Sequence, residues 1–131
     1  MQELHSIALV VRDYDEALAF YVGILGFDLL EDTNRGNGKR WVVVRPPGGR
    51  GARLLLAKAK GAEQEATIGN QTGGRVFLFL HTDSFEADVA NLVAHEVEIV
   101  RGPVREDFGD VVVFKDLYGN KWDLIGPEIG S

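Results

Sequence analysis

The sequence predicts an α+β fold: two tandem βαβββ modules whose sheets pair into a curved, eight-stranded open barrel with a central cleft. Two observations carry this. Residues 13–30 and 83–100 repeat each other: both open Asp-x-x-Glu-Ala, and both pass from a helix-like stretch into an apolar, strand-like one. Each copy is also preceded by an apolar run (7–11 and 76–80) and followed by another (41–44 and 111–114). A repeat whose period is about half the chain means two paired modules, not a solenoid. A four-stranded sheet covered on one face by one helix leaves its other face open. Two such faces together would line a cleft, a common place for a small ligand.

The elements follow in order. Residues 4–11 are β-branched and Leu-rich, a buried strand. Asp13 is placed to cap the next helix, with Glu16 at the capping-box position. Ala17, Phe20, Tyr21 and Ile24 fall on one helical face, and Gly26 ends the helix. A second strand starts at 27–30, and 32–39 is a polar, Gly-containing turn. A third strand, 41–45, stops at Pro46-Pro47-Gly48-Gly49, and 53–57 is a fourth.

The polar, Gly-rich stretch 58–74 has the composition of a mobile connector; its functional alternative is a lid over a site. The pattern then recurs. A strand at 75–82 leads to a helix capped by Asp83 with Glu86 in the box and Val89, Leu92 and Val93 on its buried face. Strands at 97–100, 111–114 and 121–125 follow. Gly102-Pro103 reads as a turn, and Asp116-Leu117-Tyr118-Gly119-Asn120 as a tight one. The chain thus reads as one domain, 1–131, made of a module at 1–57, the connector at 58–74 and a module at 75–127.

The 131 residues suffice for one sizeable core, and 45% hydrophobic with 26% charged residues is the balance of a soluble globular protein. A net charge of −6 argues against nucleic acid, which needs clustered Lys and Arg. No cysteine means no disulfide framework and no thiol chemistry. No signal-like start and no apolar run near the ~20 residues of a membrane span are visible. A cytoplasmic location is expected, without membrane or nucleic-acid partners.

At Val11-Arg12-Asp13, Ala19-Phe20-Tyr21, Leu25-Gly26-Phe27 and above all Asp116-Leu117-Tyr118-Gly119-Asn120-Lys121-Trp122-Asp123-Leu124, the chain resembles the vicinal oxygen chelate superfamily. The last stretch is similar to that family's Asp-Pro-x-Gly-x-x-x-Glu-Leu signature. Glyoxalase I, extradiol dioxygenases, fosfomycin-resistance proteins and bleomycin-binding proteins belong to it, so the resemblance speaks to fold more than to function. It also implies pairing as a homodimer.

The metal-using members place four ligands on the cleft face: an early-strand His, a Glu on the fourth strand, a His on the fifth and a Glu on the eighth. The matching positions here fall on Ser6 (with His5 beside it), Leu55, Phe77 and Asp123. Strand neighbours point to opposite faces, so His5 is one residue out of step. Leu55 and Phe77 have no lone pair to give. A divalent site wants three or more protein ligands, and only His5 and Asp123 remain as metal candidates, so no cofactor is expected.

Among the resulting candidates, Asp123 would be desolvated if set among Phe77, Phe79 and Leu55. It could act as a general base, hold a ligand hydroxyl or amine, or sit in a structural ion pair. His81, four residues past Phe77, is either its acid–base partner or merely hydrogen-bonded. Phe77 and Phe79, two apart, would form an aromatic wall on one strand face. Trp122 should point the other way, into the core. Arg40 and Trp41 lie on opposite faces of their strand, and Arg40 would suit an anionic ligand or be a solvated cation. Ser6 lacks an activating His-Asp arrangement. His95 suits a helix C-terminus.

The expected function is binding of a small organic molecule in a metal-free cleft. The alternative is an enzyme, a lyase, isomerase or dioxygenase using Asp123 and His81 with or without a rearranged divalent metal site.

Overall fold

The computed structural model describes residues 1–127. Two four-stranded mixed sheets carry the chain. In the first, β1 (Ser6–Val11), β4 (Arg53–Lys58), β3 (Lys39–Arg45) and β2 (Asp28–Gly36) lie side by side in that order. In the second the order is β5 (Val76–His81), β8 (Lys121–Ile125), β7 (Gly109–Lys115) and β6 (Ile99–Glu106). In both, the first strand runs parallel to the last and the remaining neighbours are antiparallel. Identical topology in two halves of one chain is what the sequence repeat implies. The halves form separate compact units, 1–68 and 69–131.

In the first unit, the helix opens as α1 (Tyr14–Leu18), where the Asp13 carboxylate accepts the Glu16 N–H at 2.9 Å. It does not continue to Gly26 as an α-helix. Residues Ala19–Ile24 form a π-turn, with the Leu25 N–H reaching back to the Phe20 carbonyl. The wider turn keeps Phe20 and Tyr21 buried together, ring edge to ring face at 5.1 Å. Below them lie Leu9, Val11, Val42, Val44 and Leu56, all fully buried on the helix-facing side of the sheet.

The polar turn expected at 32–39 is instead mostly strand. Strand β2 runs to Gly36, and the reversal is confined to Asn37 and Gly38, both at positive φ (54° and 79°). An Asn-Gly pair is the strongest two-residue hairpin signal, because its turn matches the twist of the flanking strands.

The second unit departs from its sequence reading in two places. Asp83 does not cap the second helix, α3 (Phe85–Ala94). The cap is Ser84, which makes no side-chain capping bond. Thr82 takes over: its hydroxyl accepts the Ser84 N–H and donates to Asp88 at 2.5 Å. Gly102-Pro103 is not a turn but lies inside edge strand β6, where the register with β7 shifts. An edge position is where a strand tolerates proline, since no ladder donor is lost.

The stretch 58–74 is also not structureless. It contains a short helix, α2 (Ala62–Glu65), and its second part is pinned to the 116–120 turn. Gln71 N–H donates to Asn120 Oδ1, and Lys121 Nζ to the Gly74 carbonyl.

That turn is the best-built local feature of the chain. Asp116 is 5% exposed, and its Oδ1 accepts the N–H groups of Tyr118, Gly119 and Asn120 at 2.9–3.0 Å. Its Oδ2 accepts from Asn120 Nδ2 at 2.9 Å. A buried carboxylate that satisfies so many donors is a fold determinant, and it sets Trp122, Asp123 and Leu124 in register on β8.

Candidate functional site

Period-two alternation sorts β8. Trp122 and Leu124 face the core with Phe114, which stacks on Trp122 at 6.2 Å; Lys121, Asp123 and Ile125 face the other way. Across the sheet, Phe79 pairs with Asp123, Asp123 with Val113, and Val113 with Arg101. A row Phe79–Asp123–Val113–Arg101 therefore crosses the second unit on one face. His81 pairs with Ile125 and stands diagonally from Asp123, a spacing of about 7–8 Å.

The row joins unlike environments. Phe79 is 66% exposed, whereas Asp123 Oδ1 is buried and has no hydrogen-bond partner among the described residues. Loss of water holds the Asp123 carboxyl above the usual range, and the Arg101 charge pulls partly the other way. Arg101 itself is paired with Glu106 at 2.7 Å. The arrangement presents an exposed aromatic surface beside a carboxyl group still able to accept a hydrogen bond.

Phe77 does not share this wall. The register passes from Val76–Lys121 to Leu78–Trp122, leaving Phe77 as the extra residue of a bulge. Its ring meets the edge of buried Trp122 at 6.4 Å. Spacing of two puts residues on one face only in an uninterrupted strand.

In the first unit the corresponding row is Ala8–Leu55–Val43–Glu31, with Ser6 and Trp41 on the same face. His5 precedes the strand, and its Nδ1 shares a 2.6 Å hydrogen bond with Ser6 Oγ; no carboxylate among the described residues orients that imidazole. Arg40 lies on the opposite, helix-covered face. Its guanidinium sits over the Tyr14 ring at 5.1 Å and is paired with Asp32 at 2.7 Å and Asp15 at 2.9 Å. These partners use the charge that an anionic ligand would need.

At the four chelating positions, Ser6, Leu55, Phe77 and Asp123, two side chains are hydrocarbon. Among the described residues no group of three or more His, Asp, Glu or Cys is gathered as a metal ion would require. The donor set does not fit the metal of the metal-using relatives. His95 Nδ1–H donates to the Asn91 carbonyl at 2.9 Å, a helix-end contact.

The family profile described as Glyoxalase/Bleomycin resistance protein/Dioxygenase superfamily matches residues 3–124. The chain belongs to this superfamily. Within it, the chain is 56% identical over 125 residues to an uncharacterized protein of Shewanella frigidimarina, covering 95% of this chain and 93% of that one. Two solved structures share the architecture. TnmS3, an antibiotic binding protein from Streptomyces sp. CB03234, is 30% identical, with 98% of each chain covered and a TM-score of 0.77. UcmS2 is 29% identical, with 95% of this chain and 98% of that chain covered and a TM-score of 0.81. No helix among the described residues is long and apolar enough to cross a membrane.

Arg45 and Arg53 also stand out in the structure: Arg45 ends β3 and Arg53 opens β4 on either side of the Pro-Pro-Gly-Gly turn, and alternation places both on the Leu55 face.

Proposed function

We propose that this superfamily member binds a small, planar organic molecule on the Phe79–Asp123 face, without a metal. One observation carries the reading: an exposed aromatic ring stands directly beside a carboxyl oxygen that is buried and unpartnered. A ring supplies area for stacking, and an unpaired buried acceptor favours a ligand that brings a hydroxyl or amine. The likeness to an antibiotic binding protein over 98% of both chains supports the same class of activity.

Calorimetric titration with 1-naphthol, 1-naphthylamine and naphthalene tests it. The two donor-bearing probes should bind about tenfold more tightly than naphthalene, a difference of one hydrogen bond. Asp123→Asn and Phe79→Ala should each weaken them. Equal affinity for all three probes, untouched by either substitution, would overturn the proposal.

The enzymatic alternative rests on the diagonal placement of His81 and Asp123. It requires metal-independent proton transfer, read as solvent deuterium entering a ketone substrate at the α-carbon. Exchange abolished in both Asp123→Asn and His81→Ala would replace the binding reading.

A further inference from the structure

We infer that the first unit carries an oxyanion-binding site formed by Arg45 and Arg53, for a carboxylate or phosphate group. The inference stands apart from the Phe79–Asp123 proposal, because every residue it uses lies in the first unit.

Strands β3 and β4 pair Val42 with Leu56, Val43 with Leu55 and Val44 with Leu54. One further step along that antiparallel register sets Arg45 opposite Arg53. Arg53 in turn pairs with Ser6 on β1, and Arg45 with Asp28 on β2. Alternation puts Arg45, Arg53 and Ser6 on the Leu55 face. Like charges directly opposite each other destabilise a sheet, so this pair breaks a local rule at the end of the hairpin.

Nothing among the described residues compensates for it. Neither guanidinium takes part in an ion pair or hydrogen bond with the described residues, although six other arginines or lysines, among them Arg12, Arg40 and Arg105, are paired with carboxylates. Asp28, beside Arg45, does not come within ion-pair distance. Arg45 Nε is moreover buried without a partner. The 46–52 turn closes over it: a Cβ on Gly49 would lie 3.5 Å from the Arg45 Nη2.

The second unit provides an internal comparison. Its equivalent pair is Lys115 and Lys121, also opposite each other. There both cations are engaged, Lys115 by Glu98 at 3.1 Å and Lys121 by the Gly74 carbonyl at 3.2 Å. The repeat thus keeps two facing cations in each half, and among the described residues it is the arginine pair that has no acceptors. Planar guanidinium groups offer paired N–H donors that match the two oxygens of a carboxylate or phosphate. An oxyanion between them would fill the missing acceptors and cancel the repulsion.

The test is calorimetric titration of the intact chain, at low ionic strength, with acetate, inorganic phosphate and uncharged acetamide, none of which carries a ring for the Phe79 face. Acetate or phosphate should bind saturably with one site per chain, and acetamide should not; whichever anion binds more tightly identifies the source chemistry. Arg45→Gln and Arg53→Gln should each weaken anion binding at least tenfold. Lys115→Gln should leave it unchanged. Thermal melts guard against misfolding: phosphate should raise the midpoint of the wild type but not that of a folded Arg45→Gln/Arg53→Gln double variant. Absence of saturable binding to both anions, or binding that survives in the double variant, would overturn the inference.

Discussion

Phe79 stands directly beside Asp123 in the parallel register of β5 and β8, so an exposed ring and a desolvated carboxyl share one face of the sheet. The pairing follows from the bulge at Phe77. Had the register run on unbroken from Val76–Lys121, Phe79 would lie opposite Leu124 on the core face, and Asp123 would neighbour Leu78 instead.

The position of Asp123 predicts a pH signature. Its folded-state pKa lies above the ordinary 3.8, chiefly because burial disfavours the charge. The folded state therefore holds its proton more tightly than the unfolded one. Stability attributable to this group is greatest below pH 3.8 and declines as pH rises from there through the folded pKa. Asp123→Asn should remove that decline and raise the thermal midpoint at pH 7 relative to wild type. A lower midpoint at pH 7 in the variant would contradict it.

Arg40 gives the opposite sign. Its hydrogen bonds hold the Asp32 carboxyl below the usual range, so this pair stabilises the fold above pH 3.8 and is lost as pH falls through the folded pKa of Asp32. Arg40→Met should cost about 1 kcal/mol near neutrality, a figure suited to half-exposed ion pairs with one cation–π contact. Urea unfolding at pH 7 and below pH 3 measures it, with the difference shrinking at the lower pH. Naphthol binding should be unchanged, because Arg40 sits on the helix side of its sheet.

How much of this was legible beforehand depends on whether a residue's role is local. The Asp-x-x-Glu-Ala repeat announced the duplicated sheets, because period and capping are written in neighbouring residues. The 116–120 turn was legible for the same reason. The faces of β3 and β5 were not. Arg40 and Trp41 differ by one residue, and only the packing of Tyr14 onto the helix side decides between them. The Phe77 bulge inserts one residue into a strand without any glycine to mark it. Thr82 displaced Asp83 at the second helix because a hydroxyl one residue upstream could bond both Ser84 and Asp88. The Arg45–Arg53 pairing is a property of register, and register between strands is invisible along a single chain.

Glycines separate conformational from steric cost. Gly69 has φ +76°, and a Cβ there would collide with the Tyr118 carbonyl; Gly51 has φ +80° but opens onto free space. Gly51→Ala should cost about 1 kcal/mol for the left-handed backbone alone. Gly69→Ala should cost at least about twice that, since the 69–74 segment must move off the turn. Chemical denaturation of the two variants side by side checks the ordering.

Asp116 sets the largest expected loss. Asp116→Ala takes the carboxylate acceptor from the Tyr118 and Asn120 N–H groups and from the Asn120 amide, with Asn120 buried and Tyr118 half-buried, while the Gly119 N–H keeps the Asp116 backbone carbonyl at 3.1 Å. Each orphaned buried donor costs about 1–3 kcal/mol, and partial rehydration of the cavity returns some of this, so a loss of about 3–5 kcal/mol is expected. Asp116→Asn keeps the Oδ1 acceptor and forfeits only the bond from Asn120 Nδ2, which limits its cost to about 1–2 kcal/mol. Because the turn fixes the start of β8, Asp116→Ala should also disturb the Asp123 row, weakening naphthol binding even where the chain remains folded. Equal stability of the Ala and Asn variants in urea would show that the Tyr118 and Asn120 backbone donors find other partners, and that the signature turn is not held by this carboxylate.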